Sequence, residues 1–227
     1  QQLLSQPMAL IGKAVGDVFY RDASDAYRTG RLGASVQGVY ENLALYASPF
    51  AGLLLFISPP LFPLFFGDNW ASAGAIAVLM IPWLLMQFIV TPSTRIYPVI
   101  NQHGVALRFQ LSLLIVSVFG VPIGAQVFGT IEGTVGLLSV LNSAVYFLRI
   151  IVTYKLVGLD CWLPMVVLAR AFAVSALLNL PMMIWWALLR ETEISMPGLV
   201  ACSLLSLGCI ALFVVHEARA RGHLKVG

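Results

Sequence analysis

An all-α, polytopic transmembrane helical bundle of about seven spans is the fold class this sequence predicts, and three observations predict it. Of the 227 residues, 59% are hydrophobic and 10% are charged, against about 25% charged in an average soluble domain. So few charges cannot cover a water-exposed body. The mean hydropathy of +0.90 means that the average position favours hydrocarbon. The apolar residues fall in long runs rather than in the alternating segments of about ten that a transmembrane barrel needs, and helices satisfy their own backbone hydrogen bonds in lipid.

Taken in order, the runs are Leu3–Tyr20, Leu43–Phe66, Ala71–Thr94, Phe109–Phe128, Thr134–Thr153, Ala171–Leu189 and Pro197–Val215. The first carries Lys13, Asp17 and the pair Gly12/Gly16, and the second follows Glu41 and holds Pro49, Pro59, Pro60 and Pro63. The third contains Pro82 and Pro92 and stops before Arg95; the fourth follows Arg108 and holds Pro122 between Gly120 and Gly124. Arg149 stands near the end of the fifth, Arg170 at the entry of the sixth, and Pro181 inside it. Small residues four apart allow close helix approach, and prolines in membrane helices act as bending points. Residues 1–227 thus read as one transmembrane domain, with 216–227 a basic tail.

Lysine and arginine gather at alternate ends of the spans. Arg21, Arg28, Arg31, Arg95, Arg108, Arg149, Lys155, Arg170, Arg219, Arg221 and Lys225 fall at one end, while the other has Arg190 together with Asp68, Glu132, Glu191 and Glu193. The basic side is therefore expected in the cytoplasm, with Gln1 outside and Gly227 inside. Entry at Gln1 directly into apolar sequence, without the basic segment and cleavage site of a signal peptide, reads as a fragment of something longer. Cys161, Cys202 and Cys209 show no CxxC pairing, and His103, His216 and His223 show no HExxH spacing. No metal, disulfide or cofactor is expected.

Ionisable groups at membrane depth are candidate functional residues unless they snorkel, pair or face water. Arg95, Arg149 and Arg170 are near enough to the basic boundary for their stems to carry the guanidinium to the headgroups. Lys13 sits seven residues before Tyr20, roughly 10 Å inside at 1.5 Å per residue, and Asp17 follows at i+4. The two can pair. Either the pair stabilises the helix against its neighbours, or Lys13 lines a hydrated cavity and attracts an anionic substrate.

Three stretches carry a family resemblance: Pro7-Met-Ala-Leu-Ile-Gly-Lys-Ala-Val-Gly-Asp-Val-Phe-Tyr-Arg-Asp-Ala-Ser24, then Phe66-Gly-Asp-Asn-Trp-Ala-Ser-Ala-Gly74, then Thr91-Pro-Ser-Thr94 with Asn101-Gln-His-Gly104. Together they resemble the polysaccharide transporter, or oligosaccharide flippase, family of the multidrug/oligosaccharidyl-lipid/polysaccharide exporter superfamily. The FGxxWxxAG element is the most specific, and the resemblance runs to about residue 130. It implies a two-lobed transporter of which this chain would be spans eight to fourteen, the C-terminal lobe plus two extra helices. It further implies movement of a lipid-linked (polyprenyl-pyrophosphate) oligosaccharide across the bacterial cytoplasmic membrane by alternating access, for surface polysaccharide or O-antigen assembly. The partners implied are that glycolipid, membrane lipids, and an N-terminal lobe or other assembly proteins; no nucleic acid is expected. A cavity for pyrophosphate suits cations, so Lys13 with Asp17 is the first candidate and Arg95 and Arg149 the next, at the cytoplasmic mouth. Three other readings compete: a cation-coupled drug exporter, a membrane glycan polymerase or ligase, and an inactive fragment. The exporter needs buried carboxylates, where Asp17 alone qualifies, and the enzyme needs catalytic residues on a large external loop, so no enzyme is expected.

Overall fold

A computed structural model describes residues 23–189 and 196–220 of the chain. The expected span Leu3–Tyr20, with Lys13, Asp17 and the Gly12/Gly16 pair, lies outside the described residues, as do 190–195 and the end of the basic tail. Among the described residues there is helix and no strand. The long helices are α1 (Leu32–Phe66), α2 (Ala71–Val90), then after a short α3 (Ile96–Val99), α4 (His103–Phe128), α5 (Ile131–Leu156), α6 (Leu163–Leu178), α7 (Leu180–Leu189) and α8 (Met196–Ala220). Five helical stretches are long and apolar enough to cross a membrane, or six if α6 and α7, bent by 61°, count as one span. Every expected run from the second to the seventh therefore contains a helix. Large apolar side chains such as Leu114, Phe119, Val140 and Leu212 stand on the surface, which is the pattern of helices whose outer solvent is lipid.

Helix ends differ from the expected ones for identifiable reasons. A helical turn over residues 23–28 stops at Gly30, whose φ of 71° is left-handed. There the Arg31 and Gly30 amides donate to the carbonyls of Ala26 (2.7 Å) and Tyr27 (3.2 Å), the paired bonds of a glycine-terminated helix. Helix α1 then begins at Leu32 rather than Leu43, because Val36, Tyr40 and Ala44 are all buried at a spacing of four. Hydropathy sees only the lipid-like portion of a helix, and this polar first part is held by one buried edge. The same glycine device ends α5 three residues beyond the expected Thr153: Gly158 has φ 78°, and Leu159 N–H donates to Tyr154 C=O at 2.9 Å.

The run Ala71–Thr94 breaks at Thr91-Pro92, since Pro92 has no N–H for the preceding turn. Hydroxyls cover the disturbed carbonyls: Thr91 donates to Gln87 (2.6 Å), Ser93 to Val90 (2.7 Å) and Thr94 to Thr91 (2.7 Å). Between α4 and α5 the turn is tight. Gly129 ends α4 at φ 64°, and the Thr130 hydroxyl accepts the Gly133 amide of α5. A Cβ on Gly124 would lie 3.0 Å from Thr134 Cα, and one on Gly120 2.7 Å from Leu138 Cδ2, so this small-residue pair does bring two helices together.

The described chain divides into two compact units, one of residues 23–44 with 82–167, the other of 45–81 with 168–189 and 196–220. In the second, Leu53, Met182, Trp185, Leu199 and Ile210 form the core, with Phe56, Leu178 and Val214 packed on it. The FGxxWxxAG element belongs to this unit and has a physical explanation. Gly67 turns the chain at φ 89°, Trp70 packs on Phe66 with centroids 5.6 Å apart, and a Cβ on Gly74 would stand 2.9 Å from Ser58 O and 3.0 Å from Pro59 Cα. All three residues serve the α1–α2 turn.

Candidate functional site

In the first unit, one face of α5 is buried at Ser139, Asn142, Tyr146, Arg149, Ile150, Thr153 and Tyr154, steps of three and four that make a single stripe. Arg149 is seven residues from the end of α5, about 10 Å at helical rise. It is 9% exposed. Snorkelling is the expectation for this residue, and the structure places it otherwise: the guanidinium carbon lies 5.4 Å from the Tyr97 ring centre and 5.7 Å from that of Phe109. Two aromatic faces therefore hold the cation.

Each ring is fixed by its own segment. Tyr97 sits on α3, delivered by the break at Pro92, and is fully buried. Its hydroxyl is 2.8 Å from Thr153 Oγ1, which is in turn 2.8 Å from the Arg149 carbonyl. The threonine proton goes to that carbonyl, so Tyr97 is the donor to Thr153. Phe109 comes from the second turn of α4. Nearby in the same unit, Tyr40 and Tyr154 meet edge to face at 5.7 Å and 77°, both hydroxyls buried without a partner among the described residues. Half-buried Glu41 accepts from Gln37 Nε2 at 2.7 Å.

Arg149 has no ion-pair partner among the described residues, and its Nε is buried without an acceptor. Among the described residues only ring faces hold this buried charge, which leaves an unmet demand for an anion. The anions that match a guanidinium in fork geometry are phosphate and carboxylate. Arg95, the other described candidate, lies exposed on the 3-10 turn after Thr91 and takes no part in this cluster. Arg170 is exposed on α6. Lys13 and Asp17 lie outside the described residues. Sequence reasoning missed Tyr97 and Phe109, although the polar face of α5 was legible from Asn142, Tyr146 and Thr153 at i−7, i−3 and i+4 of Arg149.

The second unit has its own polar cluster, and it is neutral. At the bend between α6 and α7, Pro181 removes the N–H due to Leu177, and the backbone ladder resumes only where Met183 N–H meets Asn179 C=O at 3.0 Å. Asn179 Nδ2 donates to Pro49 C=O (3.0 Å) and Ser175 C=O (2.9 Å), and Ser175 Oγ donates to Ser48 C=O (2.8 Å). Gly52 permits this approach, since a Cβ there would meet Ser175 Oγ and lie 2.8 Å from Asn179 Nδ2. Among the described residues no group of three or more His, Cys, Asp or Glu converges on a metal-sized space. No family model, no curated protein and no solved structure matches this chain.

Proposed function

We propose that this chain is one lobe of a membrane transporter that passes the anionic headgroup of a lipid-linked oligosaccharide across the bacterial cytoplasmic membrane, as in the polysaccharide transporter family it resembles. The observation that carries the reading is Arg149: among the described residues it is the one buried formal charge and has no carboxylate partner, and it stands about two helical turns inside a span. A pyrophosphate headgroup supplies the missing counter-charge while its polyprenyl tail stays in lipid. Lys13 and Arg95 remain further cationic candidates on the same basic side. A cationic drug would have to approach a buried positive charge, which disfavours the drug-exporter alternative. Alternating access, with Gln1 outside and Gly227 in the cytoplasm, completes the proposal.

The test is reconstitution of the full-length protein into phospholipid vesicles carrying a fluorescent polyprenyl-pyrophosphate oligosaccharide, with leaflet position read by quenching from outside. The wild-type protein should move the glycolipid between leaflets, and Arg149→Gln should reduce the rate to that of protein-free vesicles. Movement indistinguishable from protein-free vesicles with the wild-type protein would overturn the assignment.

A further inference from the structure

Arg149 belongs to a longer polar ladder. Ser139, Asn142, Ser143, Tyr146, Arg149 and Thr153 lie along one face of α5, and Ser139 and Asn142 are each only 2% exposed. From the first to the last the ladder covers about 21 Å at helical rise, most of a hydrocarbon core of about 30 Å. The face meets α4 at Arg149, whose guanidinium lies on Phe109, but its two serines lie elsewhere around the helix. Thr134, Leu138 and Leu141 meet Gly124 and Gly120 on α4, and at 100° per residue Ser139 and Ser143 lie more than a quarter-turn around the helix from them, while Arg149 lies only about 20° from Leu138. Val140 and Leu148, 67% and 54% exposed, mark the lipid side.

Two hydroxyls on this face, like those of Ser48 and Ser206 in the second unit, are not turned onto a carbonyl, whereas Thr153 Oγ1 donates to the Arg149 carbonyl and Asn142 Nδ2 to that of Leu138. Ser58, Ser112, Ser117 and Ser203 each donate to the carbonyl four residues back, the usual way a helix hides a hydroxyl in lipid. Ser139 and Ser143 do not: both oxygens are buried with no partner among the described residues, like Arg149 Nε. A bundle interior built only for packing would be apolar here.

We infer that the polar face of α5 lines the path of the permeant, with Arg149 taking its anionic group and Ser139, Asn142 and Ser143 taking neutral hydroxyl-bearing parts of a carbohydrate. The inference rests on the transporter reading above and adds where the headgroup runs. The face is covered in this structure, so the path opens through a change of conformation.

The experiment is thiol accessibility in membranes from cells making the full-length protein, with Cys161, Cys202 and Cys209 replaced by serine. Ser139→Cys, Ser143→Cys, Val140→Cys and Leu148→Cys are each treated with an anionic (ethylsulfonate) and a cationic (ethyltrimethylammonium) methanethiosulfonate. The polar-face cysteines should react with the anionic reagent about tenfold faster than the lipid-face cysteines, and about tenfold faster than with the cationic reagent. Adding Arg149→Gln should abolish the charge preference, and Arg149→Lys should keep it. Equal rates on the two faces, no reaction on either, or a preference for the cation would overturn the path. Glycolipid movement without this labelling pattern would remove the path along α5 and leave the transporter standing; the pattern without glycolipid movement would leave an anion path and remove the glycan.

Discussion

The two units treat buried polar groups differently. In the second, the buried polar side chains are uncharged, and Ser175 and Asn179 are turned onto the backbone of α1 at Ser48 and Pro49, beside a helix broken at Pro181. In the first, a formal charge is buried without a counter-charge among the described residues, between the rings of Tyr97 and Phe109. The cluster at Asn179 has a sufficient structural reason, because a broken helix in lipid needs donors and acceptors nearby. Arg149 lacks one, since a buried cation with no counter-charge among the described residues destabilises the fold that holds it. What the contrast teaches is where to look for ligand chemistry: at the polar group whose structural role is insufficient.

That contrast can be broken or sharpened by substitution. The largest effect on stability is expected in the second unit at Gly74, where an added side chain meets the backbone of Ser58 and Pro59. Gly74→Leu should cost about 3 kcal/mol or prevent folding, read as the thermal midpoint and monodisperse yield of the purified protein. An unchanged midpoint would show that α1 and α2 are not so tightly apposed. Asn179→Ala should cost about 1–3 kcal/mol by leaving the Pro49 contact unmade, yet leave the anion preference of α5 untouched. A changed preference would mean that the neutral cluster is not merely structural. The smallest effect is expected from Tyr97→Phe, which loses the bond to Thr153 for about 0.5–1.5 kcal/mol but keeps the ring under Arg149. Glycolipid transport should then stay within a few-fold of wild type, whereas Tyr97→Leu, lacking the ring, should lower it further.

Helix positions were largely legible in the sequence, because runs of lipid-like residues are a composition signal that no tertiary context is needed to read. Their ends were less so. The start of α1 depends on one buried edge at Val36, Tyr40 and Ala44, and the bend at Asn179 depends on acceptors at Ser48 and Pro49, far away along the chain. FGxxWxxAG stood out as a pattern, but Gly67, Trp70 and Gly74 turn out to shape a helix connection. As for the site, Arg149 was named from the sequence as a residue within reach of the headgroups. Its enclosure could not be read there, because Tyr97 arrives through the Pro92 break and Phe109 from a separate helix.

The most direct measurement is a paired one on Arg149→Met, which keeps the length of the side chain and removes the charge. If Arg149 is held at a cost in stability for an anionic permeant, the variant should lose glycolipid transport while its thermal midpoint is unchanged or raised. Retained transport, or a midpoint lowered by several degrees, would make Arg149 a structural residue and contradict the assignment.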